Sequence, residues 1–465
     1  MDAPPSTAFD ALQALWQAAA LDASALGDVR LTGEAPVLPS SFNVSVAVQS
    51  SLAAAALAAA QIDRRRGGGR QQLTVDAEAA ALDSLGWFTL DGRAPQVWDK
   101  LSGLYPCADG FVRIHANFAH HRDGALELLG CAPGAATERD AVTAALRHWR
   151  AEDFETAAAD AGLVVAAARS FEVWDRHAQA RALAARPLVS IERIGDAPPN
   201  RWPARRPGGE LLHGLRVLDL TRILAGPVAG RTLAAYGADV MLLNSPALPN
   251  IESIADTSRG KLSAHVELKT EAGRETLRTL VRDADVFLQA YRPGALAALG
   301  FGAHELAALR PGIVCVSLSA YGSSGPWAGR RGFDSLVQTA TGFNVAEAQA
   351  FGVAEPKPMP LQVLDYSAGY LLAFGAQVAL VRQAAEGGSW QVQVSLAGVG
   401  RWLRGLGRVA GTTVQRPPLD PYVEDSDSGF GRLRALRHAA RFSRSAVGWA
   451  RPSMPPGSHP PRWPG

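Results

Sequence analysis

One carboxylate, Asp365, stands directly before a run of small residues and a long apolar stretch in the segment PLQVLDYSAGYLLAFGAQVAL. Two kinds of chemistry fit that position. The side chain can accept hydrogen bonds from the free N–H groups of a helix that begins near Ser367. A carboxylate that a substrate can reach also acts as a nucleophile and forms covalent acyl intermediates. The residues alone leave both roles open, and the two roles can coexist.

A second candidate site is the turn AGPVAG, residues 225–230, which follows a strand-like run and opens a helix-like one. Backbone N–H groups at such a turn can face an anionic or nucleotide group. The turn lacks the GxGxxG spacing of dinucleotide-binding folds, and Asn244 stands where those folds carry an acidic residue. A dinucleotide-dependent oxidoreductase is therefore the last of the alternatives, while a simple packing turn stays open beside an anion site.

A histidine-rich run, HANFAHHRD, covers residues 115–123. Its spacing fits neither HExxH nor a zinc finger. The three cysteines, Cys107, Cys131 and Cys315, form no CxxC pair. We therefore expect no metal site and no disulfide framework, and we expect Asp123 to cap a helix.

Composition argues against several classes of protein. The 465 residues carry a net charge of +2, which lacks the large positive field of many nucleic-acid binders. The longest apolar run, residues 52–60, is far shorter than the roughly 20 residues that span a bilayer. The first residues, MDAPPSTAFD, do not have the pattern of a secretory signal. We expect a cytoplasmic protein with neither a nucleic-acid nor a membrane partner.

The second half of the chain alternates between strand-like and helix-like runs. Strands are predicted at 216–220, 238–243, 264–268, 285–290 and 313–317, with helices at 271–283 and 304–309. Such alternation indicates a parallel sheet with helices on both faces, a Rossmann-like α/β fold. In the first half, Ala-rich helices are predicted over residues 8–62, and a hairpin at 104–115 has its turn at Asp109–Gly110.

A segment rich in Pro, Gly and Arg, residues 195–214, is the best linker candidate. It divides the chain into a smaller α/β region at 1–200 and a Rossmann-like domain at 201–410. The last residues, 411–465, are predicted to form a partly extended tail.

Two segments, residues 50–78 and 371–397, share one order of features. Each has an Ala-rich helix, a basic end, a Gly–Gly stop and a strand that begins after Gln. The literal identity is weak, so a true internal repeat and a chance likeness between Ala-rich helices both stay open.

Several motifs of the second half resemble those of the family III CoA-transferases, the group that contains formyl-CoA transferase, carnitine CoA-transferase and 2-methylacyl-CoA racemase. The motifs are RVLDLTRILAGPVAG, VELK, QAYRPG, LSAYGSSGP, GFDSLVQTATG and LQVLDYSAG, all within residues 216–369. Residues 42–200 resemble the part of the family fold that usually follows this region. The chain therefore looks like a tandem fusion or a permutation with the small domain placed first.

The resemblance implies an activity and a set of residues. It implies that the protein moves CoA from an acyl-CoA thioester to a free carboxylic acid. It also implies that coenzyme A and acyl-CoA are substrates rather than permanently bound cofactors, and that Asp365 carries CoA as a covalent aspartyl intermediate. The positions matched to the family's CoA contacts are Leu224, Ala225, Gly226, Lys269, Tyr291, Arg292, Arg331 and Asp334. For the histidine-rich run 115–123, a structural role or a place at the edge of the CoA site is expected instead of metal binding. Members of the family form intertwined homodimers, so a homodimer is expected here unless the fused chain satisfies that arrangement internally.

Departures from the family pattern leave alternatives open. Leu224 stands where some members carry a Gln, and Asn244 and Ser245 stand where many carry an acidic and a basic residue. A catalytically idle CoA-binding protein is therefore one alternative. An acyl-CoA racemase of the same family is another, but Arg330 stands where the racemases are expected to carry a proton-shuttling His, and a guanidinium stays protonated. Transfer of CoA is favoured over racemisation.

Overall fold

The structure is a computed structural model that describes residues 5–200, 202 and 209–464. Its helices are α1 Ala8–Ala18, α2 Val44–Arg65, α3 Ala77–Asp83, α4 Ala119–Leu128, α5 Arg139–Leu146, α6 Ala151–Asp160, α7 Phe171–Arg176, α8 Ala178–Ala184, α9 Ala225–Ala235, α10 Ile254–Thr257, α11 Glu271–Arg282, α12 Ala303–Leu309, α13 Asp334–Ala340, α14 Phe343–Phe351, α15 Val363–Glu386 and α16 Leu396–Gly405. Its strands are β1 Val29–Thr32, β2 Leu73–Asp76, β3 Phe88–Leu90, β4 Gly103–Pro106, β5 Phe111–Ile114, β6 Val165–Ala167, β7 Ser190–Gly195, β8 Arg216–Leu220, β9 Asp239–Asn244, β10 Lys261–His265, β11 Val286–Gln289, β12 Val314–Ser319, β13 Ser389–Ser395, β14 Val423–Ser428, β15 Gly431–Leu436 and β16 Ala440–Phe442.

The main sheet has seven strands in the order β10-β9-β8-β11-β12-β13-β7. The first six are parallel, and β7 pairs antiparallel with β13 at one edge. Numbered along the chain, the parallel strands follow the order 3-2-1-4-5-6 of doubly wound nucleotide-binding folds. The strand order reverses between β8 and β11, and folds of this kind bind ligands at the carboxyl ends of the strands at that point. The predicted Rossmann-like α/β fold is confirmed.

Alternate residues of the parallel strands face two hydrophobic cores, one on each side of the sheet. Val217, Val286 and Val314 lie on the face that α9 and α15 cover. Leu218 and Phe287 lie on the opposite face, against α11 and α12. The predicted helices on both faces are therefore present.

The predicted bounds of strand β10 differ from those in the structure. It covers Lys261–His265 rather than the predicted 264–268. Lys261 and Ser263 are polar, but both are buried. Lys261 pairs with Asp219, and the backbone of Ser263 forms two hydrogen bonds with His459. The other predicted strands of this sheet are found close to their expected bounds, and β8 matches them.

A small lobe, residues 101–167, has a core of its own and packs against the main domain. The antiparallel sheet β4-β5-β6 is covered by α4, α5 and α6. The predicted hairpin is confirmed, and its turn is closed by the hydrogen bond from the N–H of Cys107 to the carbonyl oxygen of Gly110, 2.8 Å. Strands β5 and β6 contact α13. Part of the predicted linker, residues 201 and 203–208, lies outside the described residues, and the domain limits at 200 and 410 stay predictions.

The two halves of the chain exchange edge strands around a central pair of helices. The long helices α2 and α15 pack against each other, and each is followed by a strand and a further helix, β2 and α3 or β13 and α16. The first half adds β7 beside β13, and the second half adds β16 beside β2, both antiparallel. By length and composition α2 and α15 could each cross a membrane, but both are almost entirely buried in this core.

The segment after residue 410, predicted as a partly extended tail, contains three strands and then lies along the main sheet. Strands β14 and β15 join β3, and β16 joins β2. Further on, the N–H of Ser263 donates to Nδ1 of His459 (3.0 Å), and the N–H of His459 donates to the carbonyl oxygen of Ser263 (2.8 Å). These contacts cover the outer edge of β10, which would otherwise be open to pairing with another chain.

Candidate functional site

Two aspartate residues contact each other where the helices α13 and α15 begin. Asp365 lies in the first turn of α15 and is 8% exposed. Its backbone N–H donates to Oδ2 of Asp334 at 2.9 Å, and the other oxygen of Asp334 accepts from Nε2 of Gln338 at 2.5 Å. Asp334 thus satisfies an N–H at the start of α15, a role that the N-cap residue Gln362 does not fill with its own side chain.

The carboxylate of Asp365 accepts no hydrogen bond from the residues that the structure describes. Burial raises the pKa of Asp365 well above its ordinary value, and the neighbouring carboxylate of Asp334 raises it further. Burial also raises the pKa of Asp334, although hydrogen bonds from Asp365 and Gln338 oppose that effect. Two buried carboxyl groups whose charges act on each other do not ionise independently, so the pair titrates as a unit. When Asp365 does ionise, its carboxylate is more basic than one in water.

The turn AGPVAG lies against the helix that carries Asp365. Leu224 precedes α9, and Ala225 and Gly226 form its first turn. A Cβ atom on Gly369 of α15 would lie 2.7 Å from the carbonyl oxygen of Ala225, so the two helices touch where Gly369 has no side chain. Residues four apart share a helix face. Asp365 therefore faces the start of α9.

A buried ion pair holds the first turn of α9 in place. Nζ of Lys261 lies 2.8 Å from Oδ2 of Asp219 and donates to the carbonyl oxygen of Pro227 at 2.8 Å. Both charged side chains are 0% exposed. The pair joins β10 and β8 to α9, so Lys261 has a structural position, whereas Lys269 is exposed.

The residue before Leu224 has a backbone conformation that is rare for its type. Ile223 has φ = 77°, in the left-handed region that β-branched residues seldom adopt. Such strain is kept only where the surroundings hold it, and it is common at binding and catalytic sites. Here it turns the chain from the end of β8 into α9.

A cleft of about 370 Å³ opens at the carboxyl ends of β8 and β11, where the strand order reverses. The main domain and the small lobe both line it. Its lining includes Leu220, Arg222, Ile223, Tyr291, Arg292, Arg330, Arg331 and Phe333 from the main domain, and Phe118, His120 and His121 from the small lobe. Four of the described lining residues are Arg and none is Asp or Glu, so the cleft is suited to a polyanion.

Three of these guanidinium groups have no carboxylate partner among the described residues: Arg222, Arg292 and Arg331. Arg330 differs, because it lies 3.6 Å from the carboxylate of Glu155. Burial lowers the pKa of Arg331, and the charge of Arg292 lowers it further, which shows that the two cations lie close together. Unpaired Arg groups beside apolar walls are the usual means of binding phosphate groups.

The small lobe contributes imidazole groups that are neutral at pH 7. Burial lowers the pKa of His121 to about 4, with a smaller effect from His120. The ring of His115 stacks on that of Phe333, with centroids 4.0 Å apart, and connects the lobe to the residue before Asp334. The prediction that Asp123 caps a helix is wrong: α4 begins at Ala119, and Asp123 lies inside it and pairs with Arg122.

The structure brings three of the eight predicted CoA contacts into the cleft and a fourth into the groove beside it. Tyr291, Arg292 and Arg331 line the cleft, and Lys269 lines an adjoining apolar groove that shares Tyr291 with it. Asp334 is completely buried and contacts Asp365 rather than the cleft. Its predicted contact with CoA stays a prediction.

Asp365 and the three residues Leu224, Ala225 and Gly226 lie behind the cleft wall instead of on it. The wall is formed at that level by Ile223 and Phe333, which directly precede Leu224 and Asp334 in the chain.

One cleft residue, Arg222, was not predicted. It follows β8 by two positions, and its place at the carboxyl end of the first strand of a doubly wound sheet is a signal that could have found it. The small-lobe residues Phe118, His120 and His121 belong to the histidine-rich run 115–123 and line the cleft, and the expectation of a structural or CoA-edge role for that run stays a prediction.

Residues 212–407 match the model of CoA-transferase family III. This region belongs to that family. The chain is 37% identical to acetyl-coenzyme A transferase nodX of Hypoxylon pulicicidum over 197 residues, which is 41% of this chain and 33% of that protein. It is 32% identical to an acyl-CoA transferase of Gibberella moniliformis over 328 residues, 68% of this chain and 54% of that one. A crystal structure of Rv3272 from Mycobacterium tuberculosis is similar with 32% identity and a TM-score of 0.39, covering 43% of this chain and 58% of that one.

The family III region contains every predicted site residue, whereas the small-lobe wall of the cleft lies outside it. The alignment with the Gibberella protein is longer than the family III region and therefore includes residues beyond it. The chain spans a third to about half of the length of these two curated relatives.

Proposed function

We propose that the protein transfers CoA from an acyl-CoA thioester to a free carboxylic acid through Asp365. One observation carries the proposal: a buried carboxylate without hydrogen-bond partners in the described structure faces the first turn of α9, directly behind a cleft rich in Arg at the reversal of strand order. CoA needs cations for its phosphate groups and an apolar passage for its arm, and the cleft offers both.

The transfer proceeds in balanced steps. A carboxylate oxygen of Asp365 attacks the thioester carbonyl carbon, the C–S bond breaks, and a mixed anhydride and CoA thiolate result. The thiolate attacks the Asp365 carbonyl carbon, the donor acid leaves as a carboxylate, and an aspartyl-CoA thioester remains. The acceptor carboxylate then runs these steps in reverse order, which releases the new acyl-CoA and restores Asp365. Water takes no part, and the burial of Asp365 protects both intermediates from hydrolysis.

The surrounding residues have distinct parts in this scheme. The free backbone N–H groups in the first turn of α9, at Ala225 and Gly226, can stabilise the oxyanion that forms on the attacked carbonyl. Arg222, Arg292 and Arg331 bind the phosphates of CoA. Asp334 touches Asp365 only through the backbone N–H and acts as a positioning residue.

A panel of acyl-CoA donors and free acids, analysed by mass spectrometry, tests the proposal. A new acyl-CoA should form from at least one pair of substrates, and Asp365→Asn should abolish its formation while the variant still binds CoA. An Asp365→Asn variant that exchanges CoA at the wild-type rate would refute the catalytic role of this residue.

An idle CoA-binding protein is the second candidate. It is favoured by the position of Asp365 behind the wall formed by Ile223 and Phe333. In that case CoA would bind, but no pair of substrates would give a new acyl-CoA.

A racemase is disfavoured because Arg330 is engaged with Glu155, and deuterium uptake at the α-carbon of a 2-methylacyl-CoA would contradict this. We further propose a cytoplasmic location and a homodimer. Light scattering on the purified protein tests the homodimer.

A further inference from the structure

The loop at residues 321–333, YGSSGPWAGRRGF, forms part of the cleft, and within its own domain the buried side chain of Tyr321 anchors its start. It joins β12 to α13 and contains four glycines. Its last residues include Arg331 and Phe333, which line the cleft, and it ends at the residue before Asp334. A glycine-rich loop of this length loses much conformational freedom when it is ordered, so other contacts must hold it.

One buried side chain from a distant part of the sequence supplies those contacts. Gln179, at the start of α8, is 0% exposed. Its Nε2 donates to the carbonyl oxygens of Tyr321 (2.7 Å) and Ser324 (2.8 Å). Its Oε1 accepts from the backbone N–H of Trp327 at 2.7 Å. A single amide thus fixes the loop backbone at three points.

The side chain of Trp327 extends this anchor toward the cleft. The guanidinium of Arg330 lies 4.1 Å from the centre of the Trp327 ring, and that of Arg169 lies 5.4 Å from it. Arg169 and Arg330 both contact Glu155, through a hydrogen bond of 2.9 Å and an ion pair of 3.6 Å. Arg331 directly follows the residue that is held in this way.

We propose that Gln179 is a positioning residue for the substrate: through Trp327 it fixes the 321–333 loop so that Arg331 and Phe333 stand where acyl-CoA binds. The inference rests on the proposed function. Gln179 does not touch the cleft, and its segment, like Glu155 and Arg169, comes from the first half of the chain, outside the family III region. The first half therefore sets the affinity of the second half for CoA.

The carboxylate beside Asp365 is held by a residue of its own helix rather than by this loop. Asp334 lies in α13, and Gln338 of the same helix fixes its carboxylate. A displaced loop should therefore weaken binding without changing the nucleophile. This predicts that KM for acyl-CoA rises while kcat at saturation stays nearly constant, the signature of lost ground-state binding.

The test compares two buried glutamines by titration calorimetry with free CoA and by steady-state kinetics. Gln179→Met keeps the length of the side chain and removes all three hydrogen bonds. It should raise the Kd for CoA and the KM about tenfold or more, the factor that one lost hydrogen bond to a charged group produces, and leave kcat within about threefold. The control is Gln49→Met, since Gln49 is also buried and donates to the carbonyl oxygens of Thr32 and Val75 in another sheet. It should lower thermal stability without changing the Kd for CoA.

If Gln179→Met does not fold, Trp327→Leu replaces it, because Trp327 is only partly buried and lies outside the cleft lining. Any of three results would overturn the inference. The variant that folds could bind CoA with wild-type affinity, or its kcat could fall at unchanged KM, or Gln49→Met could lose as much affinity for CoA. A wild-type protein that neither binds CoA nor transfers it would overturn the proposed function itself, so the two failures are distinguishable.

Discussion

The buried Lys261–Asp219 pair gives the sharpest test of how the first turn of α9 is held. Lys261→Met keeps the length of the side chain but removes the ammonium that lies 2.8 Å from Asp219 and 2.8 Å from the carbonyl oxygen of Pro227. Both side chains are 0% exposed, so water cannot solvate the charge that would remain on Asp219. Removing one partner of a buried ion pair lowers the free energy of unfolding by about 3–5 kcal/mol. That is a large part of the free energy of unfolding of a typical domain, which is about 5–15 kcal/mol.

Unfolding in urea, followed by circular dichroism, measures this cost. Two controls separate the ion pair from the loss of a lysine. Lys269→Met removes an exposed lysine and should change the free energy of unfolding by less than about 0.5 kcal/mol. The double variant Lys261→Met/Asp219→Asn removes the uncompensated charge but keeps an acceptor for the N–H of Thr221, and it should regain about 2 kcal/mol. A loss below about 1 kcal/mol in Lys261→Met, or a double variant no more stable than the single one, would refute the role given to the pair.

Two further predictions concern Asp365 and its helix. Asp334→Asn removes the neighbouring charge that raises the pKa of Asp365, so the pKa of Asp365 should fall. The rising limb of the plot of kcat/KM against pH should then move to lower pH. An unmoved limb would show that the two carboxyl groups are not coupled. Gly369→Ala places a Cβ 2.7 Å from the carbonyl oxygen of Ala225 and should cost about 1–3 kcal/mol of stability and much of the activity. The control Gly405→Ala, whose Cβ has nothing within 4 Å, should be neutral or slightly stabilising. Equal effects of the two substitutions in thermal unfolding would contradict the close packing of α9 on α15.

Local patterns were enough to predict the elements that build the main sheet. The apolar runs of β8, β9, β11 and β12 and the Gly/Pro turns between them are set by residues close in sequence, and so is the hairpin turn at Asp109–Gly110. Resemblance to a family then pointed to Asp365 and to three of the residues that line the cleft, Tyr291, Arg292 and Arg331. The start of β10 was missed because the burial of Lys261 depends on Asp219, a residue 42 positions away.

Long-range features of the molecule could not be read from the chain. The pairing of β7 with β13 and of β16 with β2 joins segments about 200 and more than 360 residues apart, and no local period encodes such a partner. The contact between Asp334 and Asp365 arises only because α13 and α15 begin side by side. In the same way, Gln179 has no visible link in the sequence to the loop that it holds.

Trapping the covalent intermediate is the most direct test of the proposed chemistry. The wild-type protein is incubated with the acyl-CoA donor that gives the fastest exchange, hydroxylamine is added, and the digested protein is analysed by mass spectrometry. An anhydride or a thioester on Asp365 reacts with hydroxylamine, so the peptide that contains this residue should carry a hydroxamate only when the donor is present, and Asp334 should remain unmodified. Asp365→Asn should give no label. Exchange of CoA that proceeds while Asp365 remains unlabelled, or a label on another residue, would contradict the account.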